Sequence, residues 1–350
     1  MVNTEGKNNS APSTKARLVE ILRAGNGRPI SGGKLAVDLG ISRVAVWKGI
    51  QSLVKAGYSV DTLESGYSLD PESLSDFLYP WEFGENESMF RYFENTGSTM
   101  DRMQEYAVQG NASGTVVIAE TQNAGKGRLG RSWVSEQGGL YFTILERPIQ
   151  VSPMPLTDYR LPLMLHQVAV ARVLGTLYGK PAHLRWPNDV YIDNRKIAGL
   201  MTELAGEGDS IRWVASGIGI NVNNLAPIEG SISCAELIGH PISRRELLLK
   251  IIDEARRIKR QAGCSKAYAN GNCFLANEWN SMADRIGASV SLMDLGLAGG
   301  TARTRKKGPP LAKGIFAGTD SVGKCVIRTE GGEKIMCFNA GSASLVYHRD

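Results

Sequence analysis

Cysteine is scarce in this 350-residue chain, and the five present (Cys234, Cys264, Cys273, Cys325 and Cys337) form no CxxC pair. Paired-cysteine zinc modules are thereby excluded, and an odd, widely spaced set argues against a disulfide framework, so a reducing compartment is the default. Histidine is scarcer still: His166, His183, His240 and His348 are too scattered for a local metal-binding motif. No long uninterrupted apolar run exists either. The greasiest stretch, Leu161 to Tyr178, is broken by His166, Gln167 and Arg172 and is expected as a buried helix, with no membrane partner. No basic start followed by an apolar core marks a secretory leader. What these shortages leave is a cytoplasmic globular chain, whose length and 42% apolar composition allow one sizeable core plus one or two small modules.

Net charge is +5, but it is unevenly spread. Between residues 14 and 58, Lys15, Arg17, Arg23, Arg28, Lys34, Arg43, Lys48 and Lys55 face only Glu20 and Asp38, so the remainder of the chain is slightly acidic. An anionic partner for the N-terminal part follows, such as the DNA backbone.

Residues 1–13 are small, polar and unpatterned, and are expected as a loose tail. Leu18, Ile21 and Leu22 then repeat at helical spacing. Ser31 caps a short helix with Leu35 and Leu39, Gly40 turns the chain, and Ser42 caps a third helix whose inner face is Val46, Ile50, Leu53 and Val54. Helix, glycine turn and capped helix is helix-turn-helix spacing, and GYSVDTLESGYSL supplies a hairpin wing, giving a winged module over 14–69. The third helix has Arg43, Lys48 and Lys55 and no acid, with Ser42, Arg43 and Val44 at the end where a recognition helix meets base edges. A helical hairpin with a solvated basic face is the alternative, and Trp47 fits either core or surface. Residues 70–87 are expected as an irregular linker. Strand-like and helix-like runs then alternate over 88–283, a mixed sheet backed by helices of α/β or α+β type. Short strands between glycines over 284–350 suggest a small barrel-like β module, interrupted by the basic loop GLAGGTARTRKKGPP.

Between Gly125 and Trp133, GKGRLGRSW interleaves three glycines with Lys126, Arg128 and Arg131, so backbone can approach a ligand while cations neutralise its charge. The GxGxxG and near-Walker readings both fail, because loop and strand follow where a phosphate-holding helix is required. A glycine-arginine flap with an indole at its far end remains. Arg185 to Asp189 (RWPND), Arg195 to Leu200 (RKIAGL) and Gly217 to Asn223 (GIGINVN) place ligand-binding residue types at strand ends, while Ser98 and Thr99 cap a helix and Gln122 precedes the flap.

GKGRLGRSW resembles the GRGRxGRxW signature of biotin protein ligases, and RWPND, RKIAGL and GIGINV look like that family's KWPND, KxxGIL and GxGxN elements. With the N-terminal winged module, the resemblance covers residues 14 to 350 and is to bifunctional ligases that also repress biotin genes. It implies an α+β catalytic domain of the biotin/lipoate ligase type with a winged helix-turn-helix before it and an SH3-like β-barrel after it. It implies formation of biotinyl-5′-adenylate from biotin and MgATP, then transfer to a lysine of a biotin carboxyl carrier protein. Lys196, Arg128 and Asp189 are the implied catalytic set. Ser98, Thr99, Gln122, Lys126, Arg128 and Lys196 would bind biotin; Arg128, Arg131, Trp133, Asn188, Lys196 and Asn221 would bind ATP or the adenylate. Mg²⁺ would arrive with ATP, with Asn221 as a contact, and Ser42, Arg43 and Lys48 would touch operator DNA. A homodimer formed on ligand binding is also implied.

The chain departs from the pattern at Lys126, an arginine in the family, and at Arg185, a lysine there; both keep the charge but change the geometry. The segment after Asn223 is short for a second ligand-ordering loop, and Val346 stands where some relatives carry arginine. A repressor that senses the adenylate without transferring it, and a lipoate or octanoate transferase, are the alternatives. Lys196 and Asp189 argue against the first; RWPND and the flap argue against the second.

Overall fold

The computed structural model describes residues 11–70, 76–148, 154–262, 274–294, 310–329, 334–336 and 343–348. They fall into two compact units: residues up to Tyr92 together with Ser243–Arg245, and Phe93–Ile242 with Glu246 onwards. Most of the expected tail and the basic loop lie outside the described residues.

The first unit starts with α1 (Thr14–Ala24), α2 (Gly32–Leu39) and α3 (Arg43–Lys55). Ser13, Ser31 and Ser42 each accept a hydrogen bond from a backbone N–H in the first turn of the helix they precede, satisfying donors that a helix start leaves free. Gly40 ends α2 in the left-handed conformation, with φ 66°. Leu18, Val19, Leu22, Leu35, Leu39, Val46, Ile50 and Leu53 form the core between the helices. The wing follows as β1 (Val60–Leu63) paired antiparallel with β2 (Gly66–Leu69). Two features of the sequence reading change here. Val54, expected inside, is 44% exposed, because the buried stripe of α3 runs through Val46, Ile50 and Leu53. The expected irregular linker holds 3-10 turns over Pro80–Met89 and buries Leu78, Glu82 and Phe83. Tyr58, Phe77, Tyr79 and Trp81 pack in series with centroids 4.5, 5.3 and 4.6 Å apart, the first two pairs tilted and the last stacked. Several of the eight basic residues also make contacts within the unit: Lys15 lies over the Trp81 ring, 4.3 Å from its centroid. Arg17 donates to Asp38 O and Leu39 O at the end of α2, and Arg23 pairs with buried Glu82 at 2.7 Å.

The second unit is a seven-stranded sheet in the order β3-β4-β5-β9-β8-β7-β6. Its strands are β3 (Phe90–Thr96), β4 (Val116–Gln122), β5 (Leu140–Glu146), β6 (His183–Arg185), β7 (Asp189–Ile192), β8 (Arg195–Glu207) and β9 (Ser210–Ile220). The ladders from β4 across to β6 are all antiparallel. Strand β7 emerges inside the motif region, where the WPND turn and the tight Asp193-Asn194 corner leave only four residues of strand. One face packs α4 (Thr99–Val108) through Met100, Met103 and Ala107 against Val117, Leu145, Trp213 and Ala215. The long apolar helix α5 (Leu161–Tyr178) passes a length-and-composition test for crossing a membrane, yet 72% of it is buried as a core helix of this unit. Helices α6 (Cys234–Ile238), α7 (Arg244–Gln261) and α8 (Phe274–Met282) complete the layer; α6 was not anticipated, and Ser233 opens it with a capping box.

The C-terminal β sheet belongs to this same compact unit. It comprises β10 (Ser289–Asp294), β11 (Ala312–Thr319), β12 (Cys325–Arg328), β13 (Lys334–Met336) and β14 (Ala343–Tyr347), in the order β13-β12-β11-β10-β14, all antiparallel. Polar contacts tie it to the rest of the unit: the Trp186 indole donates to Gly323 O at 3.3 Å and Asn280 of α8 brackets Thr319 through both backbone groups, while Arg185 of β6 pairs with Asp284 ahead of β10.

Candidate functional site

The α4 side of the sheet carries an unusual floor. Gly199 on β8 lies directly opposite Gly219 on β9, leaving a patch without side chains. Trp133 fills it: a Cβ at Gly219 would come within 2.5 Å of the indole Nε1, and one at Gly199 within 2.7 Å of the ring. Glycine is therefore required at both positions by close approach of an aromatic face.

The indole is delivered by a hairpin. Trp133 N–H donates to Gly125 O and Gly127 N–H to Arg131 O, each at 2.8 Å, with bridges between Gln122 and Ser135 and between Lys126 and Ser132. The turn is closed by Leu129 and Gly130 at φ 60° and 70°; such a φ is strained for leucine. The flap expected from the glycines is thus a laddered loop lying over the sheet. Its base is anchored by Asn123 and Ala124 N–H groups donating to Thr96 O and Gly97 O.

The cations around this floor are arranged in two ways. Lys196 Nζ lies 2.7 Å from Asp189 Oδ1 and 5.2 Å from the Trp133 ring centroid. Strict alternation would put Lys196 and Gly199, three residues apart, on opposite faces. The β7–β8 register shifts at this point, so the two come together, with Lys196 Cε 3.4 Å from where a Gly199 Cβ would sit. The Lys196 backbone is pinned on both sides, donating to Gly230 O and accepting from Ile232 N–H. Lys126 is held at 2.5 Å by Asp101 and at 3.1 Å by Glu203; burial alone would lower its pKa, but the two carboxylates outweigh it and raise it. Arg128 is pulled the other way. Burial, then the charges of Arg160 and Arg131, bring its guanidinium down to about 10 against the opposing pull of Asp189, which still leaves it cationic at neutral pH. An arriving anion would relieve that crowding.

Thr99, Gln122, Ser135 and Thr143 form one hydrogen-bonded chain. Gln122 Oε1 accepts from Thr99 N–H at 2.7 Å and Nε2 donates to Ser135 Oγ at 2.8 Å, while Thr143 and Thr99 hydroxyls lie 2.9 Å apart. Ser98 accepts from Met100 N–H. Of the residues singled out from sequence, Ser98, Thr99, Gln122, Lys126, Arg128, Trp133, Asp189 and Lys196 therefore gather around the α4 face and the flap. Arg131 is on the exposed flap turn. Asn188 and Asn221 are used differently: the Asn188 amide donates to Leu200 O at 2.7 Å, tying β7 to β8, and Asn221 is buried, donating to Ile232 O. Among the described residues no group of three or more His, Cys, Asp or Glu could hold a metal ion. Sequence reading missed Asp101, Glu203, Ser135, Thr143 and Arg160, whose relevance is set by what they meet across the fold. The pair Gly199 and Gly219 was visible only as glycines inside strands.

On the first unit, Ser42 is occupied as the α3 cap, and Arg43 lies along α2, its guanidinium 2.9 Å from where a Gly33 Cβ would be. Lys48 is exposed on the outer face of α3.

Fold and site together define an α+β ligand-binding domain, closed by a basic aromatic loop and joined to a winged helix-turn-helix. Residues 92–221 match the biotin/lipoate A/B protein ligase family, and residues 14–68 match a helix-turn-helix domain. The chain is 32% identical to the bifunctional ligase/repressor BirA of Escherichia coli over 262 residues, 71% of this chain and 77% of the relative. It is 36% identical to the protein of that name from Bacillus subtilis over 214 residues, 59% of this chain and 64% of the relative, so that match spans under two thirds of the relative's length. Among solved structures it is similar to the biotin protein ligase from Aquifex aeolicus in complex with biotin and ATP, with TM-score 0.57 and 29% identity over 74% of this chain and 99% of that one. The chain belongs to the biotin protein ligase family.

Proposed function

We propose that this chain is an ATP-dependent biotin protein ligase that doubles as a biotin-responsive repressor. The observation that carries the reading is the Lys196–Asp189 pair seated beside Trp133 on the Gly199–Gly219 floor, beneath a flap that brings Arg128 to the same place. Condensing a carboxylate with the α-phosphate of ATP brings two anions together, and a partly buried cationic site offsets that repulsion without reorganising at the moment of reaction. The biotin carboxylate oxygen would attack the α-phosphorus and pyrophosphate would leave. Lys196 would bridge carboxylate and phosphate, with Arg128 and Arg131 neutralising the polyphosphate. The amine of a carrier-protein lysine would then attack the anhydride carbonyl, releasing AMP, with Asp189 orienting that amine. The Thr99–Gln122–Ser135 chain, with Ser98, supplies donors and acceptors for the ureido ring, and Trp133 a face for the adenine. Lys126, tied to Asp101 and Glu203, would act by holding the flap. Mg²⁺ would arrive with the nucleotide, whose phosphates would supply its main ligands. Asn188 and Asn221 would act by holding β7 and the β9 end in place, because their amides are already engaged.

The partners of this reading are a biotin carboxyl carrier domain, operator DNA for the winged module, and a second copy of the chain when biotinyl-5′-adenylate is bound; the location is the cytoplasm. Residues 14–69 would be the DNA-binding domain, 88–283 the catalytic domain and 284–350 the terminal β domain. Incubating the full chain with biotin, MgATP and a carrier domain should add one biotin to one lysine, seen by intact-mass spectrometry. An unchanged carrier mass defeats the ligase reading.

A further inference from the structure

On α3 the buried residues Val46, Ile50 and Leu53 define the inner face, and Ser42, Arg43, Val44, Trp47, Lys48, Gln51, Val54 and Lys55 are exposed. At roughly 100° per residue, Val44 and Gln51 lie along the middle of the outer face. Lys48 and Lys55 fall on one flank, Trp47 and Val54 on the other. Val44 is 62% and Trp47 51% exposed, a large cost in wetted apolar surface for a short helix. Arg43, the residue nearest the start, is turned aside onto Gly33 of α2, so the middle of the face is left to uncharged side chains. The helix carries no acid, and no ion pair is found for Lys48 or Lys55 among the described residues. A partner that is negatively charged at its margins and offers apolar and amide-like groups between them matches this layout. Duplex DNA has that character: phosphates line the major groove, the thymine C5-methyl is its apolar group, and adenine presents N6 and N7 to a carboxamide.

We infer that Val44 and Trp47 are specificity-determining residues that pack on thymine methyl groups in the major groove. Gln51 pairs with an adjacent adenine, and Lys48 and Lys55 grip the flanking phosphates. The target half-site must then contain A·T pairs where the centre of α3 sits. This rests on the DNA-binding part of the function proposed above and goes beyond it, because phosphate contacts alone carry no sequence information.

The full chain, with biotin and MgATP present, is used to select duplexes from a randomised pool. The recovered duplex is then remade with each thymine in turn replaced by deoxyuridine, which deletes only the methyl. Wild type should lose about fourfold in affinity at one or more positions, the scale of one buried methylene-sized group. Val44→Ala and Trp47→Ala should bind the thymine duplex more weakly, and at least one of them should become indifferent to the replacement that hurts wild type. Alanine suits an exposed helix, so circular dichroism should match wild type. An enriched sequence that tolerates deoxyuridine at every position overturns this proposal while leaving sequence-specific DNA binding intact. So does a methyl effect that persists undiminished in both variants. Failure to retard any duplex defeats the DNA-binding reading itself.

Discussion

In the flap region Lys126 is held by Asp101 and Glu203, and Lys196 by Asp189, whereas on α3 Lys48 and Lys55 stand on a face with no acid at all. The first set is fixed in place before any ligand arrives, in partly buried surroundings where each charge acts strongly over a few ångströms. The second set is exposed, and under the proposed function it would act by displacing counterions from a polyanion. Two basic stretches of similar composition thus differ in how firmly their charges are held. Under the proposed function the held set would position a small ligand's reacting atoms, and the exposed set would gather a long charged one.

Three measurements bear on that contrast. The largest effect should come from Lys196→Ala, expected to lower biotin-dependent pyrophosphate exchange by about 10²- to 10³-fold, the scale of removing one preorganised electrostatic donor. Because the Lys196–Asp189 pair keeps contact with water at both side chains, 30% and 24% exposed, its loss should move Tm by no more than about 3 °C. Near-normal exchange would show that the fixed lysine is only structural. Next, Gly219→Ala places a methyl against the Trp133 indole and should raise the KM for ATP roughly tenfold, equivalent to about 1.4 kcal/mol. Adding Trp133→Ala to that variant should cost little more, since both changes remove one contact; additive losses would separate the indole from the glycine floor. The smallest effect belongs to the exposed set. Lys48→Ala should lessen the slope of log affinity for DNA against log salt by about 1, with the preferred sequence unchanged. An unchanged slope would mean that Lys48 meets no phosphate.

Much of this architecture was legible in the residues. Ser31 and Ser42 cap the helices assigned to them, Gly40 turns the chain between those helices, and GYSVDTLESGYSL folds as the β1–β2 hairpin. These elements are local: a cap, a period and a turn suffice. Val54 was misplaced because it sits at the edge of the apolar stripe, where a few degrees of helix rotation decide between core and water. The expected linker over residues 70–87 hides the turns that begin at Pro80, because Pro80 and Gly84 disguise a segment stabilised by packing with distant Tyr58. The site divides along the same line. Lys196, Arg128, Asp189 and Trp133 belong to contiguous motifs, but Asp101, Glu203 and Thr143 come from three elements with nothing in their own neighbourhoods to mark them.

The sequence by itself determined the order of the modules, the positions of the motifs and the sign of the charge on each, because these depend on residue type and short-range spacing. Tertiary structure decided the faces that spacing left open. A register shift between β7 and β8 turned Lys196 toward the glycine floor, and the packing of α3 on α1 and α2 left Trp47 outside. Both outcomes follow from the same physics: a one-residue slip in a strand, or a small rotation of a helix, reverses what is buried without changing any residue.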